Sequence, residues 1–230
     1  MSQLIDNLNT IESVKTDIKS AIENKGVDMT GVSFPGYASK IGEISGGGGW
    51  DQKSITEGTV EIINLNNSAS FVVSSAFMNN NTIQTVNLPY ATSVGNSAFY
   101  GCSSLSQVNL PVCSYIGNRV FNNCSSLSQI SLPMCNYIDS YAFNNCGSLS
   151  QLSLPVCSYI GSFAFGYCSS LSIITLEYST VCSISTSEIL YQTPIASGTG
   201  SIYVPTSLVD AYKSATNWSY FSTLIFPIPE

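Results

Sequence analysis

Apolar residues recur along about half of this chain at a fixed interval of 22 residues. The pairs Ala76-Phe77, Ala98-Phe99, Val120-Phe121, Ala142-Phe143 and Ala164-Phe165 mark the period. The same interval relates Ile83, Leu105, Leu127, Leu149 and Leu171, then Val86, Val108, Ile130, Leu152 and Ile174, then Leu88, Leu110, Leu132, Leu154 and Leu176. Each unit therefore reads L-x-x-V/I-x-L-P, then V/I-G, then A-F-x-x-C-S-S-L. Alternation in the first part predicts a short strand with one apolar face, which Pro89, Pro111, Pro133 and Pro155 end. So short a unit cannot bury its apolar face alone. Successive coils must stack at the spacing of paired strands, about 4.8 Å, which gives a solenoid of short strands and short helical turns. About five complete coils fit residues 66–176.

Outside the repeats the pattern changes. Leu4, Leu8, Ile11, Val14, Ile18 and Ile22 predict an amphipathic helix, and Leu4, Ile11 and Ile18 fall seven apart as in a coiled-coil seam. About three heptads, with Asn7 at one seam position, are too few to persist as a lone helix, so self-association is expected. A shorter amphipathic piece with Tyr37, Ile41 and Ile44 follows Pro35, and Gly47-Gly48-Gly49 reads as a hinge. At the other end Ile202-Tyr203-Val204-Pro205 reads as a last strand, Ser207 and Asp210 as a capping box opening a helix, and Trp218, Phe221 and Leu224 as closure of the core. The expected organisation is a helical anchor and oligomerisation module at 1–46, a hinge and N-terminal cap at 47–65, the solenoid at 66–176 and a strand-helix cap at 177–230.

Charge supports these boundaries and removes several functions. Within 66–176 the charged residues are Arg119 and Asp139, against fourteen in residues 1–65 and five in 177–230. Charged residues are 9% of the chain, where about a quarter is usual, so hydroxyls and amides must carry its solubility. The chain has no histidine, which excludes imidazole triads and imidazole metal ligands. A net charge of −7 with seven scattered basic residues excludes nucleic acid as a partner. The carboxylates Asp139, Glu177 and Glu188 show no sign of convergence, so no enzyme is expected. No window approaches eighteen consecutive apolar residues, so no membrane insertion is expected, and the start Met1-Ser2-Gln3-Leu4-Ile5-Asp6 lacks the features of a signal peptide.

Seven of the eight cysteines form two periodic ladders, Cys102, Cys124, Cys146 and Cys168, and Cys113, Cys135 and Cys157, with Cys182 beyond. Stacked thiols point the same way and meet disulfide torsions poorly, so buried free thiols are expected. There is no C-x-x-C pair, and neither metal nor other cofactor is expected. In each strand the intervening residues face outward: Thr85 and Asn87, Gln107 and Asn109, Gln129 and Ser131, Gln151 and Ser153. This neutral amide and hydroxyl face suits uncharged sugars, and Tyr115, Tyr137 and Tyr159 add a second ladder of amphipathic rings. Solvation of the coils and ladders between them are the plain alternative role for the same residues.

The unit L-x-x-V-x-L-P-x-x-x-x-x-I-G-x-x-A-F-x-x-C-S-S resembles the leucine-rich repeat class of BspA-like surface adhesins, over about half the chain. The segment IYVPTSLVDAYKSATNW resembles the strand-plus-helix end that closes such arrays. The opening, LIDNLNTIESVKTDIKSAIENKGVDMTGVSFPGYASKI, is similar to N-terminal modules of structural proteins of tailed bacteriophages. Together these resemblances imply a virion head or tail fibre assembled in the host cytoplasm. It would form a homo-oligomer, a trimer by analogy with phage fibres, and dock on other virion proteins through residues 1–46. The solenoid would be displayed toward a host-surface glycan or protein. The alternatives are a purely structural virion decoration and a bacterial BspA-like surface adhesin.

Overall fold

The computed structural model describes residues 62–64 and 71–229, all within the second of the two units into which the chain divides, Val60–Glu230. The expected helical seam of Leu4, Leu8, Ile11, Val14, Ile18 and Ile22, and the glycine hinge, lie outside the described residues.

Each coil contributes two strands. The first column comprises β1 (Ile62–Asn64), β3 (Thr85–Asn87), β5 (Gln107–Asn109), β7 (Gln129–Ser131), β9 (Gln151–Leu154) and β11 (Ile173–Leu176). The second comprises β2 (Phe71–Val72), β4 (Ser93–Val94), β6 (Tyr115–Ile116), β8 (Tyr137–Ile138), β10 (Tyr159–Ile160) and β12 (Ser183–Ile184). The paired neighbours all run parallel, and from β3 to β7 they keep the 22-residue register, as in Val86 with Val108 and Ile130. The second column is one six-stranded sheet. Its strands are two residues long, too short to show alternation in the sequence. The inward residues Val86, Val108, Leu152, Ile174, the periodic Leu positions and Phe99, Phe121, Phe143 and Phe165 are buried, and the rings of Phe77, Phe99, Phe121, Phe143 and Phe165 stack in one column at 5.1–5.5 Å.

The first column is interrupted. It forms one four-stranded sheet of β1, β3, β5 and β7 and another containing β9 and β11, with no ladder between β7 and β9. Here Gly147 replaces the serine that follows the cysteine in the other coils, and Ser148 N–H bonds Ser125 O at a separation of 23 residues. The coils remain stacked elsewhere, since β8 pairs with β10 and the Tyr137 and Tyr159 rings approach to 4.5 Å. They are pinched at the tyrosines and parted at β7, where Ile130 is half-buried while Val108 and Leu152 are buried.

The expected short helical turns are not helical. The A-F segment of each coil is a run of turns with two left-handed residues, one from Ser75, Ser97, Arg119, Tyr141 and Phe163 (φ 53–60°) and one from Asn79, Gly101, Asn123, Asn145 and Tyr167 (φ 59–71°). A continuous helix would turn every N–H back along its own coil. Left-handed residues instead flip alternate peptides, so that Arg119, Phe121 and Asn123 donate to Ser140, Ala142 and Asn144 of the next coil. Asn and Gly tolerate that region well; Arg119, Tyr141 and Phe163 occupy it at a cost of about 1–2 kcal/mol each, offset by the inter-coil bonds.

The parallel array continues past residue 176. Strand β12 adds to β10, and Ile184 rather than residue 182 faces Ile160, so this coil is two residues longer. Strand β13 (Ser201–Val204) adds to β11, and β14 (Ile225–Pro227) adds to β13, so the Ile202-Val204 segment is not the last strand. Helix α1 (Val209–Ser214) begins at Leu208 without a side-chain cap. The expected Ser207 capping box does not form because Thr206–Leu208 is already a 3-10 turn and Ser207 is exposed within it.

Residues that follow α1 cover the edge of β12. Trp218 Nε1 donates to Cys182 O at 2.6 Å, Cys182 N–H donates to Tyr212 Oη at 2.8 Å, and Asn217 Nδ2 donates to Ile184 O at 3.1 Å. Tyr212, Trp218 and Phe221 are buried, whereas Leu224 is half-buried. Open sheet edges invite pairing with other chains. Trp218→Ala is therefore expected to destabilise the protein by about 3–5 kcal/mol and to promote association through β12. Urea melts and light scattering of the variant check both effects, and a fully monomeric variant of unchanged midpoint contradicts this role.

Candidate ligand-binding groove

The outward residues of β3, β5, β7, β9 and β11 line a groove of about 710 Å3. Strand alternation puts Asn87, Gln107, Asn109, Gln129, Ser131, Gln151 and Ser153 there together, and each of them lines it. Ser128 and Ile130 join them where the β7–β9 ladder is missing.

Among the described residues no charged side chain lines the groove. The nearest carboxylate along the strands is Glu177, which follows β11 and accepts a hydrogen bond from Ser153 Oγ at 3.1 Å. Asn109 Nδ2 donates to Asn87 Oδ1 at 2.8 Å, so these two amides hold one another in a rung-to-rung ladder. Gln107, Gln129 and Gln151 are exposed, and among the described residues their amides bond no other side chain. Each presents one acceptor and two donors to whatever enters.

The three tyrosines do not reach this groove. Tyr115, Tyr137 and Tyr159 belong to β6, β8 and β10 of the six-stranded sheet, where they stack at 5.3 and 4.5 Å. Periodicity alone aligns them with one another and says nothing of which sheet they share. Tyr115 Oη donates to Asp139 Oδ2 at 3.2 Å, and partial burial together with that carboxylate raises the Tyr115 pKa above its ordinary value.

Among the described residues, Tyr203 and Phe226 are the aromatic side chains on the outward face of the sheet that holds β9 and β11. Register sets Tyr203 beside Thr175, which pairs with Ser153, and sets Phe226 beside Tyr203. Their ring centroids lie 6.4 Å apart with planes tilted by 47°, and Phe226 is 40% exposed. The signal was present in the sequence: I-Y-V-P matches V-N-L-P of the repeats, which places Tyr203 at the position of Asn109. At the end of the strands, the residues after Pro89, Pro111 and Pro133 form an exposed apolar ridge, with Tyr90 at 55%, Val112 at 42% and Met134 at 54%.

All eight cysteines are buried and free of disulfides. Thiols of Cys102, Cys124, Cys146 and Cys168 donate to the carbonyls of Phe77, Phe99, Phe121 and Phe143 in the preceding coil at 3.0–3.1 Å. Those of Cys113, Cys135 and Cys157 donate to Tyr115, Tyr137 and Tyr159 O. Each ladder uses the one polar atom of its side chain on an inter-coil or turn carbonyl. Among the described residues no three His, Cys, Asp or Glu side chains gather as metal ligands.

The BspA type leucine-rich repeat region, in six copies, matches residues 56–172 and 92–219. The chain belongs to this repeat family. Among solved structures, it is similar to a leucine-rich repeat protein of Bacteroides ovatus, with 23% identity over 74% of this chain and a TM-score of 0.59. It is also similar to the pneumococcal vaccine antigen PcpA, with 16% identity over 75% of this chain and a TM-score of 0.59. The chain spans 43% and 42% of those two proteins, with which it shares the fold. No curated protein matches it.

Proposed function

We propose that this BspA-type repeat protein is a non-enzymatic attachment module, an adhesin whose groove binds a ligand on a cell surface. The observation that carries the reading is the row of exposed, unengaged glutamine amides along an uncharged groove. Solvation alone is served by any polar residue, whereas aligned amides offer repeated, directional donors and acceptors. Support comes also from the family, in which the resemblance is to surface adhesins, and from the similarity to a vaccine antigen. The carboxylates of the array do not converge: Asp139 accepts from Tyr115 beside the six-stranded sheet, and Glu177 accepts from Ser153 at the groove.

The test is saturable binding of the full chain to intact candidate host cells. Gln129→Arg, which puts a charge into the groove from an exposed position, is expected to weaken attachment at least about tenfold, or about 1.4 kcal/mol, with an unchanged melt. Attachment insensitive to this change overturns the reading.

The resemblance of the opening segment to phage modules supports a more specific setting, display on a head or tail fibre with residues 1–46 as oligomeric anchor and docking segment for other virion proteins. Ile11→Asp with Ile18→Asp is then expected to convert an oligomer, a trimer in this setting, to monomers in light scattering. An unchanged mass removes the anchor.

A further inference from the structure

We propose that the groove's ligand is a neutral, linear oligosaccharide that lies across the strands, along the solenoid axis, and stacks one sugar on the Tyr203–Phe226 pair. This rests on the attachment reading and names its ligand class.

Two files of side chains run along the axis on the outward sheet face. One is Gln107, Gln129, Gln151; the other is Asn109, Ser131, Ser153, Thr175, and it ends at Tyr203 and Phe226. Within each paired block, parallel pairing repeats each side chain in the same orientation about 4.8 Å apart, a step comparable to one hexose of an extended glycan, and the unpaired β7–β9 step lies between the two blocks. Such a file suits a ligand that itself repeats and has direction. A primary amide donates and accepts at once, and so does a pair of neighbouring sugar hydroxyls, so each rung can satisfy both partners in a two-point contact.

Charge points the same way. Among the described residues no charged side chain lines the groove, and the one at its edge is the Glu177 carboxylate, so an anionic ligand would lose hydration there without a counter-charge. A neutral sugar incurs no such penalty. At the break between β7 and β9, no backbone hydrogen bond joins residues 128–132 to residues 150–154. Peptide groups on the groove floor are thus added to the side-chain amides as partners for hydroxyls.

The aromatic pair supplies what amides cannot. One face of a pyranose is a patch of C–H groups, weakly positive, and the face of an aromatic ring is weakly negative. Tyr203 and Phe226 are tilted by 47°, which presents two ring faces to a single sugar at the C-terminal end of the file. From Gln107 to Tyr203 the files cross β5, β7, β9, β11 and β13, a span of at least about 19 Å with the unpaired β7–β9 step included, which accommodates an oligosaccharide rather than a monosaccharide. The apolar ridge of Tyr90, Val112 and Met134 stands apart, at the ends of the strands, and would matter to a protein ligand.

The experiment is an array of neutral linear oligosaccharides, including cellohexaose, laminarihexaose and chitohexaose, with a sulfated oligosaccharide as charged control, probed with the full chain and followed by calorimetry. Expected is saturable binding of at least one neutral hexamer, insensitive to salt. Tyr203→Ala and Phe226→Ala should each weaken it about tenfold or more, Tyr203→Phe should largely retain it, and Gln129→Ala with Gln151→Ala should weaken it comparably. Melting curves of all variants identify any loss of fold, and Tyr203→Phe serves as the readout if Tyr203→Ala unfolds. Absence of any neutral binder, binding of the sulfated control alone, or binding indifferent to Tyr203 and Phe226 overturns the inference. Cell attachment that no neutral glycan competes, and that Gln129→Arg and Met134→Lys both abolish, overturns the glycan and leaves a protein ligand with the attachment reading intact. Attachment indifferent to Gln129→Arg overturns the attachment reading itself.

Discussion

Raising the pH past the ordinary thiol pKa of about 8.5 is expected to unfold this protein steeply. Burial pushes the thiols of Cys102, Cys113, Cys124, Cys135 and Cys146 up, Cys113 to about 11 and Cys102 to about 12. The Cys157 thiol is raised first by its neighbour Cys182 and then by burial. A thiol with a raised pKa stays protonated in the folded chain when the unfolded chain has already ionised. The folded state then binds more protons, so stability is complete below the unfolded pKa and falls as pH rises toward the folded values. Each such thiol contributes a slope of about 1.4 kcal/mol per pH unit, and six acting together approach the whole stability of an ordinary domain, about 5–15 kcal/mol, within one or two units. Urea melts at neutral pH and at about two units above the thiol pKa measure this, and Cys135→Ala should reduce the slope by one proton. A midpoint that does not move with pH refutes the account. The same burial predicts thiols that react with a disulfide reagent only in denaturant.

Replacing Phe121 by alanine is expected to destabilise the array by about 3–5 kcal/mol. Phe121 is fully buried, and its ring stacks on Phe99 at 5.5 Å and on Phe143 at 5.3 Å. Stability in a solenoid resides in the interfaces between neighbouring coils, so a void at this position weakens two of them. Phe77 occupies the same place in an earlier coil but is half-buried, and Phe77→Ala should cost less. Denaturant melts of the two variants rank them, and equal losses would mean that the central coil is no better packed than the first.

The period alone makes the main architecture legible. Buried residues recur at one spacing, and a strand with one inward face needs only alternation, so the first-column strands, the phenylalanine column and the burial of the cysteines could be read directly. The second sheet could not, because two residues such as Tyr115–Ile116 carry no alternation. Nor could the left-handed turns: Arg119, Tyr141 and Phe163 are residues that ordinarily avoid that region, and only the need to direct N–H groups at the next coil holds them there. The polar file of the groove was visible, and the match of I-Y-V-P to V-N-L-P carried the signal for Tyr203. Phe226 lies in a segment with no such match, and only its pairing in register with Tyr203 shows that it extends the same face. Conversely, Tyr115, Tyr137 and Tyr159 share the period of the groove residues but not their sheet.

The missing ladder between β7 and β9 also shapes how the solenoid carries load. A stack of coils resists bending through its backbone bonds on every side, and at this level the first column lacks its ladder while the tyrosines opposite are in close contact. The array therefore behaves as two stiff blocks joined by a compliant seam, which yields by opening on the groove side and pivoting on Tyr137 and Tyr159. A ligand bridging Gln129 and Gln151 spans that seam and acts as a splint. Tension along the axis then strains the bound molecule as well as the protein, so the elasticity of the attached state differs from that of the free one.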